Sequence, residues 1–250
     1  PLDGCSFFCL QSYILNGTFN HYLSTSNSTM KKIIHTYFVV IFALLFSNVV
    51  FAQKQVTEGK IEYTISISSA KSNAALDKFN GATLNLFVKP GLSRTEMQSS
   101  LGTESTVYNN NLGKGFILKE YSGQKLMITM SKNNWLQKNQ WNSNLNFSID
   151  NNTVELNGYT CKKATATTTD GKIFTVYFTP SVTIANSNYN NAFNLPGLPV
   201  QYEIQSGNLT FKYSLVKVTE QKIDASLFEE PKSGYRVMPY DEGQQMKQGN

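Results

Sequence analysis

From Glu58 onward the chain is written in period two. In the run from Lys60 to Ser68, Ile61, Tyr63, Ile65 and Ile67 alternate with Glu62, Thr64, Ser66 and Ser68. Successive side chains of an extended chain point to opposite faces, so this run is a strand with one dry side. The same patterning predicts strands over residues 83–89, 93–98, 103–108, 115–121 and 125–131, and then over 159–168, 172–179, 200–205 and 208–218. Ser122-Gly123-Gln124, Asp170-Gly171 and Ser206-Gly207-Asn208 fall between such runs and supply positive φ at low cost. Helical spacing is confined to residues 72–79 and 134–141. Short strands joined by tight turns imply a mainly β protein, a single antiparallel meander sheet with one or two short helices. Gly113-Lys114-Gly115 lacks the spacing of a phosphate-cradling loop and reads as a turn.

The first methionine is Met30, so residues 1–29 are expected to be an upstream, non-native leader. Lys31-Lys32, the apolar run from Ile33 to Phe46, and Val50 and Ala52 ahead of Gln53 have the layout of a signal peptide over residues 30–52, cleaved between Ala52 and Gln53. An uncleaved anchor is the alternative, but Ser47 and Asn48 interrupt the apolar run and no basic stop-transfer cluster follows. Processing would leave residues 53–240 as one β domain and 241–250, rich in Gln and containing Gly, as a disordered tail with no integral membrane segment. The expected location is the periplasm or the exterior.

Charge and residue counts narrow the chemistry. The formal net charge is +5, and Arg94 and Arg236 are the only arginines, so the arginine-rich patch of a nucleic-acid binder is missing. His21 and His35 are the only histidines, and both precede the expected cleavage site. Imidazole-based triads and imidazole zinc sites are therefore not expected, nor is any cofactor, metal or enzymatic activity. Cys5 and Cys9 lie in the leader, which leaves Cys161 without an intramolecular disulfide partner. Cys161 reads either as a small buried hydrophobe or as a thiol activated by Lys162 and Lys163. Trp135 and Trp141 either cap the core edge or form a flap over an apolar cavity, and in the second case they are the ligand-binding residues. Leu195-Pro196-Gly197-Leu198-Pro199 reads first as a rigid corner leading into the strand at Val200.

Four blocks in the second half carry a resemblance. They are Gly158 to Ala164, including Tyr159, Cys161 and Lys162; Phe174 to Pro180; Leu195 to Glu203; and Pro231 to Arg236, including Gly234 and Tyr235. The chain resembles a family of exported Bacteroidetes proteins of unknown function, neighbour to a family named for a Gly-Leu-Pro-Gly-Leu-Ile signature. It departs from that signature at Asn194 and Pro199. The resemblance implies a fold like that of the lipoprotein carrier LolA, a curved, half-open barrel that holds acyl chains. With it comes an expected role as a non-catalytic binding module for a hydrophobic small molecule, a lipid or a lipidated protein. The alternative is an envelope structural or protein-interaction module without a small-molecule ligand.

Overall fold

The computed structural model describes residues 53–69, 81–143, 145–185 and 194–248, all within one compact unit, Ala52–Asn250. The leader, the expected signal peptide with Ala52, and the helix expected over residues 72–79 lie outside the described residues. In chain order the elements are β1 (Lys54–Val56), β2 (Gly59–Ser69), β3 (Ala82–Lys89), β4 (Leu92–Ser99), β5 (Gly102–Asn109), β6 (Lys114–Tyr121) and β7 (Gln124–Ser131). Two short helices follow, α1 (Lys132–Lys138) and α2 (Gln140–Ser143), and then β8 (Ser148–Leu156), β9 (Tyr159–Thr167), β10 (Ile173–Thr179), β11 (Val182–Ile184), β12 (Leu198–Ser206) and β13 (Leu209–Glu220). A 3-10 turn at Ala225–Phe228, β14 (Arg236–Pro239) and α3 (Tyr240–Gln248) complete the described chain.

The protein is mainly β, and the expected strands form. A 12-stranded sheet runs in the order β14-β7-β6-β5-β4-β3-β2-β13-β12-β10-β9-β8, with β1 and β11 making a separate 2-stranded sheet. The expectation of one purely antiparallel meander needs correction. β1 pairs with β11 in parallel, and so does β14 with β7. Two meanders, β2 to β7 and β8 to β13, are joined where β13 returns to lie against β2. β14 and β8 are the two edges of the large sheet, which is therefore not closed into a barrel.

Register explains why the alternating pattern is so clean in β2 and β3. Ile61, Tyr63 and Ile65 lie opposite Leu86, Leu84 and Ala82, so one face is continuous hydrocarbon. Across β13, Leu215 lies opposite Tyr63 and Tyr213 opposite Ile65. This face joins Val176, Val200, Tyr202 and Cys161 in the main core. β5, β6 and β7 are instead buried on both sides. On one side Tyr108, Ile117, Ile128 and Met130 pack with Trp135, Met238 and Tyr240. On the other, Val107, Phe116, Leu118 and Met127 pack with Ile223 and Phe228.

The strap from Ile223 to Tyr235, which covers that second side, is fastened by charge-assisted hydrogen bonds. Lys89 donates to the Ile223 carbonyl at 2.7 Å, and the Ile223 N–H donates to the Glu58 carboxylate at 2.7 Å. Arg94 donates to the Leu227 carbonyl at 3.0 Å and to Glu96 at 2.6 Å. The Tyr235 hydroxyl donates to Glu120, which also pairs with Lys125 at 2.9 Å. The disordered tail expected over 241–250 is corrected through Gln248, because the chain is helical there. Tyr240, buried beside Ile128 and Trp135, anchors the start of that helix.

Candidate functional site

The ladder between β10 and β12 is short. It pairs Val176 with Tyr202, Tyr177 with Gln201, Phe178 with Pro199 and Thr179 with Leu198, with a register shift between Tyr177 and Phe178. Beyond Val176 and Tyr202 the two strands part. β10 stays paired with β9 as far as Ile173, and β12 with β13 as far as Ser206. The two hairpins thus diverge toward their tips, and a cleft of 840 Å³ opens between them.

Strand alternation sorts the lining of this cleft. Phe174, Tyr202 and Ile204 belong to the main apolar core and form the inner wall. Trp141 stands beside them, its ring edge-on to Phe174 at 6.1 Å between centroids, and it is 42% exposed. The outer rim carries Ile173, Thr175, Tyr177, Gln201, Glu203 and Gln205. At the tip, Asp170 accepts from the Thr168 hydroxyl and pairs with Lys172 at 2.9 Å. Those two hydrogen bonds, the one from Thr168 first, hold its carboxyl down at about 2, so Asp170 is charged at any physiological pH. Tyr202 stacks on Tyr213 at 4.6 Å and meets Tyr63 edge-on at 6.3 Å, which fixes the floor of the inner wall. A volume of this size falls in the range of small-molecule sites.

The two tryptophans do not share this site. The Ser131 hydroxyl accepts from the Asn134 N–H at 3.3 Å, and the Asn134 side chain accepts from the Ser131 N–H at 3.0 Å, a capping box that starts α1. The helix then drives Trp135 onto the sheet, where its ring stacks on Tyr108 at 4.2 Å and is 6% exposed. Asn139 ends α1 by donating to the Trp135 carbonyl from both its backbone and its side chain. After that stop, Trp141 emerges in α2 toward the cleft. Of the two readings open to these tryptophans, Trp135 takes the place at the core and Trp141 lines the cleft.

The residues of the four sequence blocks act as packing and fastening groups. Cys161 is fully buried in the main core, where its thiol contacts the Tyr159 carbonyl at 3.3 Å, and burial pushes it up to about 11. Tyr159 and Leu195 pack against the same core, and Lys162 is half-buried on β9, opposite Phe178. Leu198 and Pro199 are buried, and the Pro199 carbonyl accepts from the Tyr63 hydroxyl at 2.8 Å. Gly197 follows Pro196 where a Cβ would stand 2.2 Å from the Thr179 carbonyl oxygen, so only glycine fits. Pro231 and Gly234 belong to the strap that ends in Tyr235, and Gln53 donates to the Pro180 carbonyl at 2.8 Å. Among the described residues no cluster of three or more His, Cys, Asp or Glu could hold a metal. No described helix is long and apolar enough to cross a membrane.

Phe174 and Tyr202 lie within two of the four blocks and Ile204 directly follows one, but the pattern marks all three only as inward strand residues like any others. No single strand's pattern sets them apart, because the cleft opens beyond Val176 and Tyr202, at the far end of the ladder from Pro199.

No family model and no curated protein sequence matches the chain. Among solved structures it is similar to PNGF-II at 14% identity, with a TM-score of 0.42 and 76% of this chain covered. The chain spans only 32% of the length of PNGF-II. It is similar to MucB at 10% identity and a TM-score of 0.36, covering 73% of this chain and 60% of that one. For the Mycobacterium tuberculosis lipoprotein LppX the identity is 11% and the TM-score 0.35, covering 68% and 89%. At these scores the likeness is a loose one of β architecture.

Proposed function

We propose that the protein is an exported, non-catalytic binding module that takes a hydrophobic ligand in the cleft between β10 and β12. The observation that carries this reading is the cleft itself, walled on the inside by Phe174, Tyr202, Ile204 and Trp141. A partly exposed tryptophan set edge-on to a buried phenylalanine forms a ready apolar contact surface. The resemblance to LolA-like carriers points the same way and adds the half-open, curved form of the sheet and the periplasmic or extracellular location.

Tryptophan fluorescence tests the reading directly, because the chain holds only Trp135 and Trp141. Trp135 is sealed against Tyr108, so a change on titration with a hydrophobic probe such as 1-anilinonaphthalene-8-sulfonate or a fatty acid should come from Trp141. Trp141→Phe should abolish the response while leaving the fold intact. A response that persists in this variant, or no binding by any apolar probe, would remove the cleft as the site.

A further inference from the structure

The cleft is bounded by two strand edges as well as by side chains. Residues Ile173 to Thr175 of β10 pair on one side with β9, and Glu203 to Ser206 of β12 pair on one side with β13. The ladder that would join their other sides stops at Val176 and Tyr202. Alternate peptide groups along each of these stretches therefore aim at the cleft, with the spacing of a β-ladder. Backbone N–H and C=O groups need hydrogen-bond partners, and a hydrocarbon chain supplies none. An extended peptide supplies them at the right repeat on both sides.

From this we infer that the ligand is an extended peptide segment of a partner protein, which enters the fork as a strand between β10 and β12. The inference rests on the reading of the cleft as the binding site and names its ligand class. Strand insertion also accounts for how the lining is sorted. Alternate side chains of the guest would fall on the inner wall of Trp141, Phe174, Tyr202 and Ile204, and the others on the outer rim of Thr175 and Gln201. The recognised sequence alternates apolar and small polar residues. Charge sets its end. Asp170 is matched by Lys172, whereas Glu203, on the exposed rim, enters no ion pair among the described residues. A lysine or arginine beside the inserted strand meets that carboxylate.

The test compares three probes on the full chain: a short peptide of alternating Val and Thr ending in Lys, the same peptide with alternate amides N-methylated, and palmitate. Calorimetry and Trp141 fluorescence report binding, and amide hydrogen exchange reports the ladder. The peptide is expected to bind and to slow exchange at the alternate amides within residues 173–175 and 203–205 that face the cleft. N-methylation should weaken it by about tenfold or more, since it removes ladder hydrogen bonds and adds bulk at the edge. Glu203→Gln should weaken the lysine peptide a few-fold, by an amount that shrinks as salt rises. Equal binding of the methylated peptide, or no added exchange protection, would overturn strand insertion. If palmitate binds and changes Trp141 emission while the peptide does not, the peptide inference fails and the hydrophobic-ligand reading stands. If neither probe binds, both fail.

Discussion

Trp135 and Trp141 belong to one polar, helix-forming stretch, yet their rings do different work. Trp135 is a core residue stacked on Tyr108, so Trp135→Ala should cost about 3 to 5 kcal/mol and lower the melting temperature sharply. Trp141→Ala removes a ring that is 42% exposed and should shift the melting temperature far less while weakening ligand binding. Thermal denaturation of the two variants side by side checks both, and equal losses would show that Trp141 is also a core residue. Cys161 is a third residue whose role the geometry decides. Its burial in the main core, reinforced by the nearby Glu155 charge, raises the thiol to about 11, so it stays protonated at neutral pH in spite of the lysines beside it in sequence. Native protein at pH 7 should resist alkylation by iodoacetamide, and unfolded protein should react at once. Cys161→Ala should cost about 1 kcal/mol, at the low end for a core truncation.

At the scale of elements, the strap from Ile223 to Tyr235 has the most distinctive energetics, because carboxylates fasten it at both ends. Glu58 is held below the ordinary carboxylate range by the Ile223 N–H and then by Lys89; Glu120 is held there by the Tyr235 hydroxyl and then by Lys125. A carboxyl whose pKa is lower folded than unfolded stabilises the fold fully above its unfolded pKa, near 4.3, and loses that contribution as pH falls through the folded value. The strap should therefore loosen below about pH 4. Amide protection relative to the intrinsic exchange rate should fall over residues 223–235 there before it does in β6 and β7, and uniform protection down to pH 3 would show that apolar packing alone holds the strap. The strap was not legible as such in the sequence, because its partners lie far away along the chain. The long strands were legible, since their registers follow from one dry face each. β8 was missed for a local reason: Asp150-Asn151-Asn152 has poor strand propensity and sits at a register shift, on a strand exposed along most of its length. Asn157-Gly158, with φ of 52° and 78°, is the hairpin turn that could have revealed it. The cleft was illegible because it arises from where two strands stop pairing, which no single strand's pattern records.

At the scale of the whole sheet, the two edges are protected by different means. The β8 edge carries Asn and Asp and a register shift, features that blunt edge-to-edge pairing. The other edge is β14, a short strand held in parallel to β7 from Arg236 against Leu126 to Pro239 against Thr129. Pro239 lacks an N–H and ends the strand, and α3 follows directly. Met238 and Tyr240 bury 98% and 95% of their surface while covering Ile128 and Trp135, so this terminal segment caps an apolar cluster as well as an edge. Ending the chain after Tyr235 would keep the strap and its bond to Glu120 but make β7 an edge strand and strip Met238 and Tyr240 from the cluster they share with Ile128, Met130 and Trp135. β7 is longer and more apolar than β14, so it should then pair with a second copy of itself. The expected outcome is a lower melting temperature together with dimers or larger species in light scattering after gel filtration, growing with protein concentration. A truncated chain that stays monomeric with an unchanged midpoint would show that β14 and α3 rest on the sheet without capping it.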